Sequence, residues 1–237
     1  GLQIIFGTSD LGIGRQRIGF VLVSATELVR SPSVTVSSMF FPTEDSASQL
    51  KEKALAVFRP WPYGARGLYT TNLTFDQPGG WGIDIEVVHK SGSRRTARLR
   101  FDVEEVPYAP GVGSSAIRSL SKTLADVDRM TQLTTGSLQD PDLYQMTLAD
   151  AIANEKPTVV VMASPAFCTN AVCGPQVEVL QQLKDAYKGR ANFIHVEFYD
   201  NPEKIQGDLS EARVSPTVLE WRLPSTEWSF VIDRRGI

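Results

Sequence analysis

Polar and apolar side chains alternate, residue by residue, through run after run of the first hundred positions. Arg17–Val23, Ser33–Phe41, Gly67–Phe75, Trp81–Val88 and Thr96–Val103 are all rich in β-branched, aromatic and aliphatic residues. In Gly67–Phe75, Leu68, Thr70, Asn72 and Thr74 fall on one face, and Tyr69, Thr71, Leu73 and Phe75 on the other. A period of two puts successive side chains on opposite faces of an extended chain, so this pattern commits the segment to sheet with one buried face. Turn signals such as Asp76-Gln-Pro-Gly-Gly80 and Lys90-Ser-Gly-Ser93 predict hairpins between neighbours. One stretch breaks the pattern. In Glu44–Phe58, Leu50, Ala54, Leu55 and Phe58 are spaced for one helical face, which predicts a short helix between strands, with Arg59-Pro-Trp-Pro-Tyr-Gly64 as a rigid turn after it.

Roughly seven strands in a hundred residues predict an all-β immunoglobulin-like sandwich over residues 1–106. It has no internal disulfide, because both cysteines lie elsewhere. The strand Gly67-Leu-Tyr69 to Phe75, followed by Gly80-Trp-Gly-Ile-Asp-Ile-Glu-Val87, resembles the small extracytoplasmic β-sandwich modules of the YtkA-like family. Some such modules handle copper. Soft-metal ligation needs Cys, Met or His, and this half offers only Met39 and His89, read as a core filler and an exposed strand end. Trp81 reads as core.

The chain has 237 residues, 42% of them hydrophobic, which is enough for two cores. A formal net charge of -3 with scattered Lys and Arg argues against a nucleic-acid partner. The densest basic cluster, Lys90 to Arg100, reads as a solvated hairpin. No stretch approaches the ~18 consecutive apolar residues of a membrane span. The leading Gly fits a mature form from which a targeting segment has been removed.

Pro107-Tyr-Ala-Pro-Gly-Val-Gly113 marks a domain boundary. Residues 107–146 read as a linker and irregular connection, with a short helix around Lys122–Met130. From 147 onward, Thr147 caps a helix with Asp150 at its third position. The apolar runs Pro157–Met162, Ala191–Tyr199 and Trp228–Ile237 alternate with helical patterns at Val177–Tyr187 and Pro202–Arg213, which predicts an α/β unit with a partly parallel sheet.

The only two cysteines, Cys168 and Cys173, sit where the first of these runs meets its helix. That junction is where reaction sites of such sheets gather. Unpaired N–H groups at a helix start favour thiolate, so Cys168 is expected to act as nucleophile and Cys173 as its resolving partner. In a regular helix the two would lie ~8.6 Å apart on opposite faces, beyond disulfide reach, so a bond between them requires a non-helical loop. The alternative is an inert disulfide that staples a short loop.

Lys156-Pro-Thr-Val-Val-Val, the cysteine pair followed by Gly-Pro, Phe193-Ile-His-Val-Glu and Phe230-Val-Ile-Asp-Arg-Arg-Gly together resemble the thioredoxin-like superfamily, nearest to secreted bacterial thiol-disulfide proteins. The resemblance implies an α/β thioredoxin-like domain over 147–237, its start extending toward 113. It also implies an extracytoplasmic, secreted or lipid-anchored protein that exchanges with a thiol- or disulfide-containing protein, without cofactor or metal. This chain departs from that superfamily in its Cys-x4-Cys spacing. It also departs at the usual cis-proline slot, where Glu227 stands beside Trp228; these two are the expected substrate-docking residues. The Cys-Thr-x-x-x-Cys spacing also resembles the Q-type peroxiredoxins, but the Pro and Thr that those place seven and three residues earlier are Val161 and Pro165 here. Copper-delivery relatives need Cys-x3-Cys and a distal His; His195 lies within a β-run and reads as a strand residue.

Overall fold

The protein is described by a computed structural model covering residues 1–25, 27–62, 64–88, 92–167, 175–205 and 207–237. It divides into two compact units, Gly1–Pro107 and Tyr108–Ile237. Among the described residues no helix is long and apolar enough to cross a membrane.

The first unit contains seven strands: β1 (Gln3–Phe6), β2 (Gly14–Val23), β3 (Ser33–Phe41), β4 (Gln49–Pro60), β5 (Gly67–Phe75), β6 (Gly79–Val88) and β7 (Arg94–Val103). The immunoglobulin-like sandwich expected here is not what forms. All seven strands belong to one antiparallel sheet, in the order β1-β2-β5-β4-β3-β6-β7. The sheet curls into a near-barrel. Phe6 of β1 stacks on Phe101 of β7 at 5.0 Å between ring centres, so the two edge strands approach each other.

The difference comes down to β4. Leu50, Ala54 and Phe58 satisfy helical spacing, but Ala54, Ala56 and Phe58 satisfy a period of two as well and face the core, while a register shift opposite Ser38 and Met39 leaves Leu50 53% exposed. The structure takes the second option: β4 pairs with β3 from Ser33↔Val57 to Phe40↔Gln49 and with β5 from Val57↔Thr70 to Pro60↔Gly67. Without β4 the remaining strands fall into two triplets, β1-β2-β5 and β3-β6-β7. With it the triplets are hydrogen-bonded into a single sheet. Leu55, which the helical reading needs inside, is 65% exposed.

The inward face carries Ile18, Phe20, Leu22, Val36, Tyr69, Leu73, Phe75, Trp81, Ile83 and Ile85 in one core. Buried polar atoms there have partners: Tyr69 OH accepts from the Ser31 N–H at 2.7 Å and donates to the Val29 carbonyl at 3.1 Å, and the Trp81 indole N–H donates to the Gln77 carbonyl at 3.0 Å.

The second unit is organised by β8 (Thr158–Ala163), β9 (Asn192–Glu197) and β10 (Glu227–Ile232), in the order β10-β8-β9. β8 and β9 run parallel, and β10 is antiparallel to β8. The helices are α1 (Leu148–Ala153), α2 (Gln176–Ala186), α3 (Pro202–Ile205) and α4 (Pro216–Glu220). The expected α/β thioredoxin domain is not evident: of the described residues 39% are in strands and 19% in helices. The sheet has three strands, and among the described helices only α2 exceeds two turns. Pro202–Arg213, read as one helix, forms α3 and a separate 3-10 turn at Leu209–Glu211. Asp208 caps that turn, its carboxylate accepting from the Ser210 N–H and so competing with helix continuation. The helix expected around Lys122–Met130 is likewise replaced by 3-10 turns at Leu124–Asp126 and Met130–Gln132, the first closed by a Thr123–Asp126 capping box. The Thr147–Asp150 capping box does begin α1.

Two cores cover the small sheet. Val160, Met162, Ile194, Val196 and Ile232 pack with Trp221 and Leu148 on one face. Val161, Ala163 and Phe193 pack with Val177 and Leu180 of α2, and with Leu143 and Tyr144, on the other.

Candidate functional site at the carboxyl end of strand β8

Cys168 and Cys173 lie outside the described residues, as does His89. The structure describes what stands on either side of the cysteines. β8 ends at Ala163; Ser164 follows, then a single 3-10 turn, Pro165–Phe167, immediately before Cys168. After the segment, Pro175 precedes α2, which begins at Gln176.

Strand register puts two acids beside this strand end. Ala163 pairs with Glu197 of β9 on one side and with Glu227 of β10 on the other. Paired residues share a face, so Glu197, Ala163 and Glu227 form one row across the sheet, on the side that carries α2.

Glu197 is buried, 6% exposed. Its Oε2 accepts from the Thr135 N–H at 2.7 Å and from the Thr135 hydroxyl at 2.9 Å. The Thr135 oxygen in turn accepts from the Ala166 N–H at 3.2 Å and lies 3.3 Å from the Ser164 hydroxyl. Burial raises the Glu197 pKa above the usual carboxylate range, and the Ser164, Thr135 and Tyr199 donors around it offset that only in part. The other oxygen, Oε1, is buried without a well-formed hydrogen bond.

Two residues back on the same face, His195 is 1% exposed. Its Nε2 lies 3.1 Å from the Ala163 carbonyl, which can only accept, so Nε2 carries the proton and Nδ1 accepts from Tyr144 OH at 2.6 Å. Burial pushes the imidazole down to about 4 against the raising effect of the Ala163 carbonyl, so His195 is neutral at pH 7. Burial also drives the Tyr144 phenol upward. The Thr134 hydroxyl opposes that rise, while the negative charges of Glu197 and Asp140 add to it.

On the far side of Ala163, the Glu227 Oε2 accepts from the Gln176 side-chain amide at 2.9 Å, and the Ser229 hydroxyl donates to Gln176 Oε1 at 3.0 Å. β10 is thus tied to the first residue of α2. Burial pushes the Glu227 carboxyl up to about 7, opposed by its Gln176 hydrogen bond.

Trp228 points the other way. Its indole N–H donates to Ser225 Oγ at 3.0 Å, and its ring stacks on Phe230 at 5.8 Å, against the core on the opposite face. Glu227 and Trp228, the two expected docking residues, are therefore on opposite sides of β10. Only Glu227 is on the side where α2 starts.

Sequence reasoning passed over Glu197 and Thr135. The signal for Glu197 was available: a carboxylate closing the otherwise apolar alternation of Phe193-Ile-His-Val-Glu197. Thr135 had none, because it meets Glu197 across 62 residues of chain.

Among the described residues no group of three or more His, Cys, Asp or Glu side chains is placed to hold a metal ion. No protein-family model, curated protein or solved structure matches the chain.

Proposed function

We propose that the second unit carries out extracytoplasmic thiol-disulfide exchange through Cys168 and Cys173, with a thiol- or disulfide-containing protein as partner. The observation that carries this reading is the row of Glu197, Ala163 and Glu227, with hydrogen bonds from it to both flanks of the cysteine segment: Ala166 through Thr135, and Gln176 directly. An inert staple needs no row of acids tied to its two flanks. A reacting thiol pair, whose charge changes during turnover, is sensitive to one.

In the exchange, the Cys168 thiolate attacks one sulfur of a substrate disulfide R–S–S–R′. A Cys168–S–S–R bond forms and R′–S⁻ leaves. The Cys173 thiolate then attacks Cys168 Sγ, forming the intramolecular disulfide and releasing R–S⁻. Two electrons pass from the cysteine pair to the substrate sulfurs, and the two protons that the cysteines gave up are taken by the departing thiolates as the solution allows.

The test is stopped-flow exchange of the reduced full chain with glutathione disulfide. Cys168→Ser should abolish exchange, and Cys173→Ser should accumulate the mixed disulfide, visible by mass spectrometry. A folded, reduced protein whose two thiols fail to react would overturn the proposal and leave the staple. Oxidation by hydrogen peroxide much faster than by any disulfide would assign a peroxidase instead.

A further inference from the structure

We propose that the groove between Arg100 and Asp102, on the outer face of the first unit, binds a small zwitterion that carries a carboxylate and an ammonium group, the chemistry of a free α-amino acid. The site lies wholly within residues 41–102 and owes nothing to the cysteine segment.

The pairing of β6 with β7 singles the place out. Trp81, Ile83, Ile85 and Val103 point into the core, so the even-numbered residues of both strands face outward. The register sets Asp84 against Arg98, Gly82 against Arg100 and Gly80 against Asp102. Arg98 is matched by Asp84 at 3.2 Å, and Arg94 reaches Glu86 diagonally, also at 3.2 Å. Opposite the next two charges β6 offers no side chain at all. Among the described residues neither Arg100 nor Asp102 forms an ion pair, with the other or with a neighbour.

Arg100 is held in place all the same. Its guanidinium carbon lies 3.9 Å from the centre of the Phe41 ring, and its Nη1 donates to the Glu44 carbonyl at 3.2 Å. Phe41 belongs to β3, on the far side of β6, so the Arg100 side chain crosses β6 to reach it. Gly82 lets it pass, and a Cβ at Gly82 would in any case come within 2.8 Å of the Leu99 carbonyl oxygen. Gly80 is a different matter. Its φ is not left-handed, and a Cβ there would meet only ordinary contacts, the nearest at 3.5 Å. The backbone does not require glycine at Gly80, and a bare position inside a strand is where a ligand can approach closely.

The groove over Gly80 measures about 580 Å³, the size of a small-molecule site, and Phe41, Glu44, Arg100 and Asp102 stand around it. A carboxylate fits the planar fork of the Arg100 guanidinium, whose remaining N–H donors the Glu44 carbonyl leaves open. An ammonium group fits Asp102, with the Glu44 carboxylate as a second acidic wall. Two acids against one base disfavour a ligand that brings only negative charge. Arg100 and Asp102 are two residues apart on one strand, ~6.6 Å between Cα atoms, a span that the two charged ends of an amino acid can bridge.

The experiment is isothermal titration calorimetry of the full chain at low ionic strength. The probes are glycine, L-leucine, L-leucine methyl ester, which lacks the carboxylate, and N-acetyl-L-leucine, which lacks the ammonium group. The two amino acids should bind, and each masked form should bind roughly tenfold more weakly or worse. Arg100→Gln should bring L-leucine down to the affinity of the methyl ester and leave the ester itself unchanged. Asp102→Asn should do the same with respect to the N-acetyl form. Gly80→Val, which fills the floor with a residue that strands favour, should remove binding of all four probes. Should Gly80→Val not fold, the two exposed-charge variants still decide. The proposal is overturned if wild type gives no heat with millimolar glycine or L-leucine, or if either masked form binds as well as L-leucine. It is equally overturned if Arg100→Gln weakens L-leucine and its ester alike, which would put the ligand elsewhere.

Discussion

At the scale of single residues, the most exacting position in the first unit is Gly67, where β5 starts opposite Pro60. A Cβ there would collide with the Arg59 carbonyl oxygen and come within 2.7 Å of Phe58 Cζ and 2.9 Å of Pro60 Cα. Two of those three atoms belong to paired backbone, which cannot rotate away. Gly67→Ala is therefore expected to separate β4 from β5 locally and cost about 3 kcal/mol, seen as a lower urea midpoint for residues 1–107. A midpoint unchanged within error would mean that the β4–β5 pairing is slacker than described. The sequence marked Gly67 only as the beginning of a β-run. Its necessity comes from β4, whose strand character was hidden by a spacing that suits helix and strand equally. Cys168 and Cys173 present the opposite case. Their type and proximity were legible at once, because two thiols five residues apart are informative without any fold. Glu197 lay between these cases. It stood in plain view, but a carboxylate at a strand end is ordinary until burial and Thr135 are known.

At the scale of elements, α2 is fastened at both ends. Gln176 joins its start to Glu227 and Ser229 of β10. Near its end, Lys184 Nζ lies 2.7 Å from Asp140 Oδ2, 3.1 Å from Asp142 Oδ2 and 3.3 Å from Asp185 Oδ1. Asp140 is 7% exposed; burial alone would raise its carboxyl, but Lys184 and the Asp142 N–H together hold it below the usual range. Lys184→Met removes the cation and leaves Asp140 buried beside Asp142. The expected loss is about 3 kcal/mol for the second unit in urea unfolding. Asp140→Asn in the same background should recover part of it, because an uncharged amide needs no counter-ion. A Lys184→Met protein as stable as wild type would place Asp140 in effective contact with water. Periodicity made α2 readable, as it did β8 and β9, since each carries a run long enough to express its own period. The short turns between 114 and 145 express none, and capping contacts such as Thr123–Asp126 decide their form.

For the whole molecule, two units with separate cores predict two unfolding transitions, and acid-base chemistry should label the second. Burial holds His195 at about 4, below its ordinary value of 6.5. Between those two pH values the unfolded chain takes up a proton that the folded chain refuses. His195 thus costs nothing above pH 6.5 and removes stability as pH falls to 4, by about 3 kcal/mol in all. Glu227, pushed up from 4.5 to about 7, works in the other direction. There the folded chain keeps a proton that the unfolded chain has released, so its contribution is whole below pH 4.5 and is lost as pH rises to 7. Glu197, raised by burial, has the same sign as Glu227. These opposing contributions overlap between pH 4.5 and 6.5. Glu227→Gln removes one descending arm, so its urea midpoint should rise relative to wild type as pH increases across that window. Tyr69 in the first unit is raised by burial and titrates far above that window, so the first unit's transition in the full chain provides a reference that should not move with the substitution. A Glu227→Gln midpoint running parallel to wild type from pH 4.5 to 6.5 would show that this carboxyl is as wet in the folded protein as in the unfolded chain, and the polar tie between β10 and the start of α2 would lose its titrating member.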